Sequence, residues 1–101
     1  MSQLIADIKV ALRVSSSTNA FDGDIEDMIA EARMDLIQSG LSPVIVNAEK
    51  VDPLIKRAIK TYCKANYGLD SPNAERFQKS YDLLKQHLSM AGDYTSGDEL
   101  E

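Results

Sequence analysis

Cys63 and His87 are the only thiol and the only imidazole in this chain. A cysteine nucleophile needs a base within hydrogen-bond reach, an orienting group for that base and donors for the developing oxyanion. Cys63 falls at the margin of an apolar helical face, and no glycine loop accompanies it. The thiol is therefore expected to be mostly buried and inert, and His87 to be a helix-surface or interface residue. Asp22-Gly23-Asp24 and Glu26-Asp27 gather carboxylates without the order of a calcium loop. They fit better as the acidic start of a helix, where the positive end of the dipole favours them. His, Cys and carboxylates are not spaced as metal ligands, and no glycine-rich phosphate loop occurs. The expectation is a protein without enzymatic activity, metal or cofactor.

A basic arc is more suggestive. Lys56, Lys60 and Lys64 recur every four residues with Arg57 beside them, which lines them along one side of a helix. Gly68-Leu69-Asp70-Ser71 has the wording of a helix-turn-helix bend and would put Asn73, Arg76 and Lys79 on a recognition helix. Glu75 and Asp82 share that helix, however, and the chain is acidic overall, with a net charge of −5. A DNA-binding regulator is thus one alternative. A solvated or subunit-facing strip is the other reading of the arc.

The elements that position these residues follow from helical periodicity. Leu4, Ile8 and Leu12, with Ile5 beside them, mark a first helix over about Gln3–Arg13. Ile25, Met28, Ile29, Ala32 and Leu36 mark a second over about Asp22–Ser39, closed by Gly40. Asp52-Pro53 and Ser71-Pro72 each pair a cap acceptor with a proline suited to the first helical turn. They open a hairpin over about Pro53–Tyr67 and Pro72–Ala91, with core stripes Ile55, Ala58, Ile59, Tyr62 and Phe77, Tyr81, Leu84, Leu88. Gly68 offers a left-handed stop for the first arm. Asn66 falls inside the apolar face of that arm, and a buried amide there would tie down the bend. Between the second and third helices, residues 41–50 contain the β-branched run Val44-Ile45-Val46 without a partner strand, and are expected to form an extended loop. The fold class is all-α: a four-helix bundle with a long loop between helices 2 and 3 and a flexible tail.

Two apolar strips lie off the core stripes: Ala30, Met34 and Ile37 on the second helix, and Leu83 and Met90, with His87 between them, on the fourth. One small monomer would struggle to bury both, which points to self-association. Charge is segregated as well. Residues 1–49 carry three basic and eight acidic side chains, residues 50–91 eight and four, and residues 92–101 none and four. A chain of 101 residues forms one domain, assigned to residues 1–91. Residues 92–101 have too little apolar content to fold alone and are expected to be a flexible acidic tail. A lone cysteine suits a reducing compartment, and neither a signal peptide nor a membrane span is evident.

The hairpin also carries a resemblance. Asp52-Pro53-Leu54-Ile55-Lys56-Arg57-Ala58-Ile59, Tyr62, Lys64-Ala65-Asn66-Tyr67-Gly68, Ala74-Glu75-Arg76-Phe77 and Ser80-Tyr81 to Leu88 resemble the head–tail connector (adaptor, head completion) family of tailed bacteriophages. The likeness extends over Leu4–Val14 and Phe21–Gly40. It implies a structural virion protein that forms a ring, a dodecamer, below the portal. That ring would extend the DNA channel without sequence-specific binding and offer a docking surface for a stopper or tail component. It also implies a location at the virion head–tail interface, with the host cytoplasm as the site of assembly. In such a ring Glu31, Met34, Asp35 and Ile37 of one subunit are expected to face Lys56, Lys60 and Lys64 of the next, with Leu83, His87 and Met90 also at the subunit interface. The tail would grip the portal, through Tyr94 first and Leu100 next, with Asp93 and Thr95 alongside. A small helical adaptor unconnected to virions is the remaining alternative.

Overall fold

The computed structural model describes residues 3–15, 17, 19–67 and 73–95. Four main helices carry the fold: α1 (Gln3–Leu12) and α2 (Asp22–Gln38), then α4 (Pro53–Asn66) and α5 (Ala74–Ser89). A one-turn helix, α3 (Pro43–Val46), lies between α2 and α4, and a 3₁₀ turn (Gly92–Tyr94) follows α5. The all-α class expected from periodicity is what forms. α4 is central, packing against α5, α2 and α1.

Helix ends show why these boundaries hold. Asp52 caps α4 by accepting from the backbone N–H groups of Leu54 at 2.8 Å and Ile55 at 3.4 Å, with Pro53 in the first turn. α2 ends in a Schellman arrangement: Leu41 N–H donates to the Leu36 carbonyl and Gly40 N–H to that of Ile37. Gly40 has the positive φ, 112°, that this turn requires. α1 ends in the same way, with Val14 N–H on the Lys9 carbonyl and Arg13 N–H on that of Val10. Here the left-handed residue is Arg13, at φ 62°. The bend at Gly68–Ser71 and Pro72 lies outside the described residues.

The core unites Ile5 and Ile8 of α1 and Ile25, Ile29, Ala32 and Leu36 of α2 with Ile55, Ala58, Ile59 and Cys63 of α4 and Tyr81 and Leu88 of α5. Leu84 and Tyr62 pack against it while remaining partly exposed. Lys9 is also buried, its ammonium 2.6 Å from the Asp22 carboxylate at the start of α2. This ion pair fastens α1 to the positive end of α2, where an anion is already favoured.

Three expectations need correction. Residues 41–50 do not form a plain extended loop: Pro43–Val46 makes a helical turn, opened by a proline, that buries Val46 and leaves Val44 exposed. Phe77 is not in the core. It sits at the rim beneath two cations, the Lys64 ammonium 5.4 Å and the Arg76 guanidinium 5.5 Å from its ring centre. Asn66 is exposed, its amide donating to the Tyr62 carbonyl one turn back at 2.8 Å. That bond satisfies the side chain locally, so no buried polar partner was needed.

Candidate functional site

The basic residues of α4 and the outer side of α5 enclose an open groove of about 600 Å³. Lys56, Arg57, Lys60 and Lys64 line it from α4, and Phe77 and Leu84 from α5. Four-residue spacing along α4 brings the cations to one side, as the sequence required. Their neighbours differ, however. Lys56 pairs with Asp7 of α1 at 2.7 Å. That contact, with a further bond from Gln3, holds the Asp7 carboxyl below its ordinary range. Lys64 rests on Phe77. Among the described residues neither Arg57 nor Lys60 has an ion-pair partner, so these two give the groove its available charge.

On α2 the structure divides the residues expected to face a neighbour. Asp35 turns inward and accepts from the Tyr81 hydroxyl at 2.6 Å and the Lys85 ammonium at 2.8 Å. Burial pushes its carboxyl up, but the bonds from Lys85 and Tyr81 outweigh it, and the net shift is downward. Glu31 accepts from the Tyr62 hydroxyl at 3.1 Å and remains exposed. Met34 points outward at 58% exposure, whereas Ile37 packs partly against the core. On α5, Leu83 and Met90 are 67% and 78% exposed, and His87 lies exposed between them.

A feature the sequence reading missed lies beside Glu31. Asp24, Asp27 and Glu31 edge a recess of about 510 Å³ that also takes in Phe21 and Tyr67. The two rings meet edge to face, with centroids 6.1 Å apart. Tyr67 was visible only as the end of a helix and Phe21 only as a loop residue. Their meeting depends on how α2 crosses α4, which residue spacing does not encode.

Residues 92–95 are also placed differently from expectation. Tyr94 is no loose anchor: its hydroxyl donates to the two Asp52 carboxylate oxygens, each at 3.1 Å. Its carbonyl accepts from Ser42 N–H at 2.8 Å, and Thr95 forms an antiparallel bridge with Leu41. Burial, then the Asp52 contact, pushes the Tyr94 hydroxyl pKa up. Gly92–Thr95 are thus held against the helices, where the Asp52 carboxylate at the α4 cap supplies an acceptor and the Ser42 backbone N–H a donor. Asp93 is exposed, and Leu100 lies outside the described residues.

Among the described residues the thiol and the imidazole do not form a catalytic pair. Cys63 is buried, and burial, reinforced by Glu31, pushes its thiol up to about 12, whereas His87 is exposed on α5. Among the described residues no three potential metal ligands cluster, and no helix is long and apolar enough to cross a membrane.

A family model described as phage connector protein matches residues 4–95. The chain belongs to the phage connector protein family. As a connector it is a structural, non-enzymatic protein of the virion head–tail junction. Membership favours that role over a DNA-binding regulator or a non-virion adaptor. No significant match was found among curated proteins or solved structures.

Proposed function

We propose that this connector closes into a ring below the portal, a dodecamer in the virion, by a head-to-tail contact between its acidic and basic faces. The observation that carries the reading is the pairing of two separate, oppositely charged concavities on one chain. The first is the groove offering Arg57 and Lys60, the second the recess edged by Asp24, Asp27 and Glu31. Surfaces that differ yet complement each other generate heterologous contacts, which close into rings when the rotation permits. Glu31 and Met34 of one subunit then face Lys60 and Lys64 of the next. Asp35 and Lys56 support the two faces from within through Lys85 and Asp7, and Ile37 backs the α2 side. Leu83, His87 and Met90, exposed on α5, add an apolar strip to the contact between subunits. The segment beyond Thr95 reaches the portal, and packaged DNA passes through the ring without base-specific contact.

Assembly with the portal, followed by mass measurement, tests the ring. Lys60→Glu should abolish it while leaving the subunit folded, and adding Glu31→Lys should restore part of it by making the pair attractive again. Ring formation unchanged by Lys60→Glu would remove this interface. Asp35→Lys is unsuitable as the compensating change, because it would disrupt the Tyr81 and Lys85 contacts of the subunit itself.

A further inference from the structure

We infer that the outer strip of one subunit's α2 lies in the α4–α5 groove of a second copy with the two helices parallel: Asp27 on Arg57, Glu31 on Lys60 and Met34 on Phe77. The inference rests on the ring reading above and adds the direction and register of the contact. The strip consists of Asp27, Ala30, Glu31 and Met34, all exposed and opposite the face of α2 that enters the core. Helical spacing sets the two carboxylates and the thioether in a row about 10 Å long, with only the small Ala30 between them. Arg57, Lys60 and Lys64 form a row of the same length along the groove, and no acidic side chain lines it.

Either direction would bring Glu31 to Lys60, and the surroundings of the flanking residues favour one. Among the described residues Arg57, Lys60 and Asp27 all lack an ion-pair partner. Lys64 instead rests over Phe77, 5.4 Å from the ring centre, so this end of the groove offers aromatic surface along with its cation. Parallel docking puts both carboxylates on the two open cations. It also brings the Met34 thioether to Phe77, a contact that sulfur makes favourably at a ring edge. Antiparallel docking would set Met34 against Arg57 and cover that guanidinium without a carboxylate, which is costly for a charge. The aligned dipoles of parallel helices oppose the arrangement little, since their effect falls off within the terminal turns.

The residues of the contact thereby divide their work. Glu31 and Lys60 sit at its centre and meet in both directions, so they hold the subunits together without orienting them. Asp27 with Arg57 at one end, and Met34 with Phe77 at the other, fix the direction. Lys60→Glu therefore tests the contact and changes at its two ends test the register.

Full-length chains assembled on the portal, with ring yield read by mass measurement, test the register through charge reversal. Asp27→Arg should lower the yield several-fold, Asp27→Arg/Arg57→Asp should recover most of it, and Asp27→Arg/Lys64→Asp should not. Recovery through Lys64→Asp instead, or equally through both, would overturn the parallel register and leave the ring reading standing. Full yield from Asp27→Arg would overturn it too, and full yield from Lys60→Glu as well would remove the ring interface itself. Cross-linking gives a second reading that needs no charge reversal. In rings of mixed chains with single added cysteines, a short bismaleimide should join Asp27→Cys to Arg57→Cys and Met34→Cys to Lys64→Cys. The swapped combinations, Asp27→Cys with Lys64→Cys and Met34→Cys with Arg57→Cys, are offset by about 10 Å along the helices and should link several-fold less. The buried thiol of Cys63 does not compete for the reagent. A reversed preference, or none, would overturn the proposal.

Discussion

Tyr81 has no exposed surface, yet its hydroxyl reaches Asp35 across the α2–α5 contact. Asp35→Ala leaves that buried hydroxyl without its acceptor, at a cost of about 1–3 kcal/mol. The same carboxyl gives stability a pH dependence. Its pKa is lower in the folded chain than the ordinary 3.8, so the folded state binds its proton less tightly than the unfolded state. The contribution is fully present above the ordinary value and is lost as pH falls through the lower, folded one. Asp7, held down by Lys56, acts in the same direction. Denaturant unfolding from neutral pH to about 3 should show wild type losing stability below pH about 4. Asp35→Asn should lose less over that interval, and an equal loss would mean that Asp35 carries none of the dependence.

Helix ends govern stability at the scale of elements. Arg13 holds the left-handed position that closes α1, a conformation costing a non-glycine residue roughly 1–2 kcal/mol. Arg13→Gly relieves that strain, offset in part by glycine's greater freedom in the unfolded chain. A net gain of about 0.5–1 kcal/mol should appear in thermal or denaturant unfolding. Destabilisation would show that the Arg13 side chain, not its backbone, closes the helix. Asp52 has two duties, capping α4 and receiving Tyr94. Tyr94→Phe removes only the second, at about 0.5–1.5 kcal/mol, and should speed amide exchange at Ser42. Asp52→Ala removes both, with the cap alone accounting for about 1 kcal/mol. The double variant should cost less than the sum, because the two residues share one contact.

At the scale of the molecule, the described residues span 44 × 29 × 17 Å, a slab about two helix layers thick. So thin a body cannot cover every apolar side chain its helices carry. Met34, Leu83 and Met90 are left outward while the core closes around Ile25, Ile55 and Ile59. Leu83→Ser/Met90→Ser should therefore leave subunit stability within about 0.5 kcal/mol of wild type, as surface changes do. It should weaken assembly of the ring on the portal, read by co-sedimentation. A fall in the thermal midpoint of the subunit would place these side chains in its own packing instead.

What the sequence determined by itself was the local part of this structure. Apolar spacing set the four main helices and the buried faces of α2 and α4. Asp52-Pro53 and Gly40 marked their ends, since caps and left-handed turns depend on residues adjacent in the chain. The local wording of Asp52 to Leu88 also carried the connector resemblance. Tertiary structure decided what depends on distant segments meeting. It moved Phe77 to the rim, because the α4–α5 packing presents Lys64 and not an apolar wall to that ring. It buried Lys9, because Asp22 arrives from α2 to neutralise it. It turned Asp35 inward to Tyr81 and Lys85, and drew Tyr94 onto the α4 cap. Those contacts join residues that are neighbours in space and far apart in the chain, and periodicity records only which side of a helix a residue occupies.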